Sequence, residues 1–188
     1  MASIITATTT SGLTQSADNS GVLQLASGVG NLVTVPSVTG TAMVSGNMPA
    51  FYAYSSAGSQ AVSNGVFTKV TLASTVFNLN SNYSTANSRF TPTVAGYYLF
   101  NGVLYCASST AMVASRVTFY QNGSIATTGP IFYESGTDII ASATSIYYMN
   151  GTTDYMEMFG LISGSATGPV FAANSQYSFF QGCLLRAA

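Results

Sequence analysis

The side chains able to do chemistry are few: four Lys or Arg, five Asp or Glu, two Cys and no His in 188 residues. A nucleophilic triad needs a base, and without His none is supplied. Carboxylate pairs are the remaining route to acid–base work. Glu134 and Asp138 share a loop with Ser135-Gly136-Thr137, and Asp154 and Glu157 lie on one strand. An offset of three puts Asp154 and Glu157 on opposite faces of a strand. All four acids therefore read as surface or edge charges. A smaller option is calcium, held by Glu134, Asp138 and loop carbonyls. Cys106 and Cys183 are 77 positions apart and too few for a zinc site. They read as small buried thiols, with a single bridge as the alternative. No Gly-x-x-x-x-Gly-Lys phosphate loop occurs. The reading is therefore a non-enzyme without cofactor or metal. Lys69, Arg89, Arg116 and Arg186 read as structural charges, able to pair with acids across subunits. Tyr133, Tyr147 and Tyr148 could stack on sugars, but core or interface packing is the better reading. The sequons at Asn82, Asn122 and Asn150 read as turns.

The elements that position these groups follow from composition. The chain is 47% hydrophobic and 12% aromatic but only 5% charged, against roughly 25% in ordinary soluble domains. A basic footprint for nucleic acid is missing. Coiled coil and disorder are excluded by the shortage of charge and the wealth of aromatics. No run reaches the roughly 18 apolar residues of a membrane span, and Met1 to Thr10 lacks the features of a secretory signal. A surface this poor in charge has weak colloidal protection, which predicts that part of it is hidden in an assembly.

Residues 1–48 contain no aromatic residue; all eleven Phe and twelve Tyr follow. This predicts an N-terminal attachment arm over 1–48 and a head over 49–188. In the arm Leu13, Val22, Leu23, Leu25, Val33 and Val35 are the candidate docking residues, in short alternating runs divided by Asp18-Asn19-Ser20-Gly21 and Gly28-Val29-Gly30-Asn31. The head reads as strand after strand: 50–54, 68–73, 88–92, 96–106, 114–121, 141–149, 154–162 and 177–185. Asn122-Gly123 and Asn150-Gly151 are the strongest hairpin signals. The fold class is all-β, a sandwich or barrel of about eight strands. Several strands are apolar on both faces, which an exposed sheet face should not be. Tyr97, Leu99, Val103, Tyr105, Tyr155, Phe159, Phe179 and Leu184 are therefore candidates for a subunit interface or a doubly buried core.

The head resembles a known family. Pro49-Ala50-Phe51-Tyr52-Ala53-Tyr54 is similar to the opening strand of the C1q-like globular heads, a branch of the tumour necrosis factor-like jelly rolls. Phe67-Thr68-Lys69-Val70-Thr71, Val76-Phe77-Asn78 and Asn82-Tyr83-Ser84 follow in the family's order. Arg89-Phe90-Thr91-Pro92-Thr93-Val94-Ala95-Gly96-Tyr97-Tyr98-Leu99-Phe100 is the strongest match, and Tyr177 to Leu185 resembles the closing strand. The resemblance covers about residues 49 to 186. It implies a ten-stranded jelly roll forming a homotrimer around its aromatic strands. The chain departs from many members in lacking a Gly-x-y stalk. The start, Ile4 to Leu13 and Ser16 to Leu25, resembles the opening of tailed-bacteriophage virion proteins.

Together these imply a trimeric protein on the surface of a virion. The expected role is capsid decoration or cement, with the arm docked on the major capsid protein or another virion protein. The alternative is a tail or head fibre tip that binds a host surface glycan or protein. No nucleic acid and no membrane insertion is expected.

Overall fold

The computed structural model describes residues 23–26, 32–35, 48–164 and 166–188. The chain forms two compact units, residues 1–40 and 41–188. In the first, β1 (Leu23–Ala26) and β2 (Leu32–Val35) form an antiparallel ribbon. Leu23 is registered with Val35 and Leu25 with Val33. Leu13 and Val22, and most of the phage-like opening, lie outside the described residues.

The second unit is built from β3 (Ala50–Tyr54), β4 (Gln60–Ala61), β5 (Thr68–Lys69), β6 (Ser74–Asn78), β7 (Tyr83–Ser84), β8 (Arg89–Phe90), β9 (Gly96–Gln121), β10 (Ser124–Thr128), β11 (Phe132–Met149), β12 (Met156–Ser163), β13 (Val170–Phe171) and β14 (Phe179–Ala187). All pairings are antiparallel. The sequence predicts separate strands at 96–106 and 114–121; the structure makes them one strand of 26 residues. Its first half pairs with β11 and β14, and β14 carries β3 and then β6. Its second half pairs with β10 and β12, and β12 carries β5 and β8. One strand thus serves two layers. The switch shows in its alternation: Tyr98, Phe100, Leu104, Cys106 and Met112 face the core, then Val117 and Phe119 do. The parity changes near Ala114, so the strand's two halves present opposite sets of residues inward.

Aromatic rings from both layers meet in the core. Phe51 of β3 stacks on Phe90 of β8 at 4.5 Å, and Phe180 of β14 packs on Phe119 of β9 at 5.4 Å. Each such fully buried Phe stabilises the fold by roughly 1.5–3 kcal/mol through removal from water. Tyr98 is buried too, and its hydroxyl donates to the Val94 carbonyl at 2.7 Å, so its polar tip is satisfied.

The two Asn-Gly signals have different outcomes. Asn122 and Gly123 take φ of 53° and 79° and close the β9–β10 hairpin with Gln121 opposite Ser124. This is the left-handed pair that a type I′ turn demands. Asn150-Gly151 closes no hairpin, because β11 and β12 both pair with β9 rather than with each other. There the Asn150 Oδ1 accepts N–H bonds from Thr152, Thr153 and Asp154, folding a connection between the layers.

Candidate subunit interface

The outward positions of the first layer form one continuous face. Cross-strand register puts them in rows, because paired residues share a face. One row runs Ser142, Val103, Phe179, Tyr54 across β11, β9, β14 and β3. The next runs Thr144, Asn101, Gln181, Tyr52, Phe77 and reaches β6. Beyond it stand Ile146, Leu99 and Cys183, then Tyr148 and Tyr97. At the other end Ile140 is registered with Tyr105.

This face is aromatic and aliphatic. Tyr52 stacks on Phe179 at 5.1 Å and leans on Phe77 at 6.4 Å. Tyr97 meets Tyr148 edge-on at 5.6 Å. Ile146 is 56% exposed and Tyr97 49%. A polar stripe crosses the middle and is satisfied internally: Asn101 Nδ2 donates to Thr144 Oγ1 at 2.8 Å, and Gln181 Nε2 donates to Asn101 Oδ1 at 3.3 Å. Among the described residues charge stands only at the ends of the face, Asp138 beside Tyr105 and Arg186 opposite Tyr97. The Tyr105 hydroxyl donates to Asp138 Oδ1 at 2.7 Å, and that bond holds its pKa above the ordinary tyrosine value. Two shallow depressions of about 230 and 270 Å³ open here, and Cys183 borders both.

An uncharged core rich in aromatic residues is the composition of a protein–protein contact. The structure brings Tyr97, Leu99, Val103, Tyr105 and Phe179 onto this one face. It places Leu184 elsewhere, buried in the core at 5% exposure and registered with Tyr98. Tyr155 and Phe159 belong to the other layer, with Phe159 on the outer side of β12. Tyr52, Phe77, Ile140 and Ile146 complete the face without having been singled out from sequence. The signal for the β11 residues was present: small Ala141 and Ala143 alternate with larger outward neighbours.

The outer side of the second layer is different. Glu157, expected at an edge, is buried at 4% exposure. It binds Lys69 Nζ at 3.3 Å and Arg89 at 2.9 Å, and the Arg89 guanidinium lies 3.7 Å over the Tyr155 ring. These ion pairs lie within the chain, since β5, β8 and β12 converge there. Asp154 instead accepts from Asn122 Nδ2 at 2.8 Å and from the Asn150 N–H at 2.9 Å.

Cys106 and Cys183 are both free. Cys106 points into the core and Cys183 to the outer face, which no disulfide geometry spans. Burial pushes the Cys106 thiol up to about 12. Among the described residues no three metal-ligating side chains gather. The calcium option also involved Glu134, whose side chain lies outside the described residues.

The architecture is a two-layer jelly roll of the kind found in C1q and tumour necrosis factor heads, and solved structures carry the comparison. The globular domain of zebrafish complement 1qA superposes with a TM-score of 0.55 at 20% identity, covering 74% of this chain and 98% of its own. Eiger TNF from S. frugiperda gives 0.55 at 10% identity, covering 76% and 95%. Vertex protein P5 of phage PRD1 gives 0.51 at 12% identity, covering 90% and 84%. Sequence comparison matches no family model and no curated protein.

Proposed function

We propose that the chain is a non-enzymatic structural protein of a bacteriophage particle surface. It assembles as a homotrimer through the outer face of its first layer. Residues 1–48 anchor it to the major capsid protein or another virion protein, and it serves as a capsid decoration or cement protein. The observation that carries this reading is the first-layer face itself: five strands wide, aromatic, and uncharged between Asp138 and Arg186. An apolar face of that breadth marks an interaction surface. The likeness of fold to C1q and tumour necrosis factor heads supports the trimer, and the likeness to a phage vertex protein supports the particle.

Sedimentation equilibrium of the full chain tests the assembly, where a mass of three chains is expected and a monomer refutes it. Electron microscopy of particles with gold-labelled antibody against residues 50–188 tests the place. Dense label over the capsid fits decoration. Label confined to tails or single spikes refutes decoration and favours the receptor-binding fibre tip. Particles without label refute the virion reading.

A further inference from the structure

Residues 1–48 hold one charged residue, Asp18, and no aromatic residue. Within them the β1–β2 ribbon sorts its residue types by register. Leu23, Val35, Leu25 and Val33 share one face, because cross-strand partners share a face and alternate residues along a strand return to it. Gln24, Thr34, Ala26 and Leu32 share the other. One face is therefore wholly aliphatic and the other mixed. Among the described residues β1 and β2 pair only with each other. A lone ribbon of two strands is marginally stable at best in water; three or more strands with a common apolar face are needed for a stable unit. The aliphatic face of this ribbon calls for a cover.

We propose that the cover is the same ribbon of the other two copies: three ribbons bring their Leu23, Leu25, Val33 and Val35 faces together around a three-fold axis. This rests on the homotrimer proposed above, and it leaves the rest of residues 1–48 for the virion contact. The tether favours this occupant. Residues 36–49 separate β2 from β3, a reach of at most about 50 Å. Ribbons tied to one trimer of heads therefore meet each other at an effective concentration of about 1 mM or more, without waiting for an outside partner. The composition favours it too. Three-fold symmetry sets identical surfaces around the axis, and a face without charge can meet its own copies with no like charges opposed. Three ribbons together also supply the strands around one apolar centre that a single ribbon lacks.

The test is disulfide trapping in the full chain, with Cys183→Ala removing the free thiol of the head's outer face; Cys106 is buried. Sedimentation of the same samples reports the trimer. Under mild oxidation Leu25→Cys should give linked pairs of chains on a non-reducing gel, at a rate independent of protein concentration. Gln24→Cys, on the opposite face, should link at least about tenfold more slowly, because a bridge needs close and correctly directed thiols. Hydrogen exchange gives the second reading. Amides of residues 23–26 and 32–35 should be protected in the trimer and should lose at least about tenfold of that protection in a monomeric Leu99→Glu chain. A trimer in which Leu25→Cys stays unlinked, or in which Gln24→Cys links as fast, overturns this inference and leaves the homotrimer standing. Protection that survives in the monomer also overturns it, since the ribbon is then covered by its own chain. Leu25→Cys that links on particles to a capsid protein, and not to its copies, gives the face to the virion and overturns it as well. A wild-type chain that sediments as a monomer overturns both readings.

Discussion

A charge placed at the centre of the first-layer face is the sharpest test of the interface. Leu99 is half-buried, points outward from β9, and is registered between Ile146 and Cys183. In an isolated head a Glu side chain there still reaches water, so Leu99→Glu costs the monomer only about 1 kcal/mol of lost apolar contact. Inside a trimer the same carboxylate is withdrawn from water, and the cation of that face among the described residues, Arg186, stands in the next row, opposite Tyr97, rather than directly across from it. Taking about 3 kcal/mol as the penalty per ion, three copies give roughly 9 kcal/mol. The three missing leucines add about 1 kcal/mol each. Roughly 12 kcal/mol at 1.4 kcal/mol per decade weakens association by about nine decades. Sedimentation equilibrium should show a trimer for the wild type and a folded monomer for Leu99→Glu, with unchanged β-sheet circular dichroism. Leu99→Gln should fall between them. Ile146→Glu, at a position already 56% exposed, repeats the test with less risk to the fold. A Leu99→Glu or Ile146→Glu protein that still sediments as a trimer would refute the assignment of this face.

Further outcomes follow from the core and the turns. Glu157→Gln leaves Lys69 and Arg89 facing each other without their shared acid. Both cations are more than a third exposed or close to it, at 40% and 35%, so solvent screens the loss. Urea unfolding should show a destabilisation of about 2 kcal/mol, and a change below about 0.5 kcal/mol would show the cluster to be inert. Gly151→Ala forces a side chain into φ of +72° and against the backbone of Val94 and Ala95. It should cost more than about 2 kcal/mol, and a neutral outcome would show that the connection can rearrange. Stability should also fall in alkali. The folded Cys106 keeps its proton up to about 12 against an ordinary 9.0, so the unfolded chain loses that proton first. The stabilisation is complete below about pH 9 and is lost as pH rises from there toward 12, at up to about 1.4 kcal/mol per pH unit. Buried Tyr98 and Tyr83, also raised, steepen the fall above pH 10. Urea midpoints measured from pH 8 to 10 should flatten in Cys106→Ala, and an unchanged slope would contradict the assignment.

Much of this protein is written in its residue order. Alternation at Ala50–Tyr54 and Gly96–Cys106, and the positive φ that Asn122-Gly123 adopts cheaply, set strands and one hairpin by local preference. The absence of His left a nucleophilic triad without its usual base, and four Lys or Arg left no basic footprint for nucleic acid. Two-sided apolarity in the strand from Tyr97 to Cys106 marked an outer face with something to cover. Tertiary structure decided what local pattern cannot encode. It joined 96–106 and 114–121 into one strand, since pairing with β14 and β12 along one edge outweighs the break in alternation. It left Asn150-Gly151 without a hairpin, because a turn signal fixes backbone angles but not which strands pair. It buried Glu157 by bringing β5 and β8 beside β12, and it sorted the candidates between two layers: Val103 and Phe179 on one, Phe159 on the other, Leu184 inside. A strand's period of two names two faces, and only the long-range pairing of distant segments says which face meets the core, which meets solvent, and which charges become neighbours.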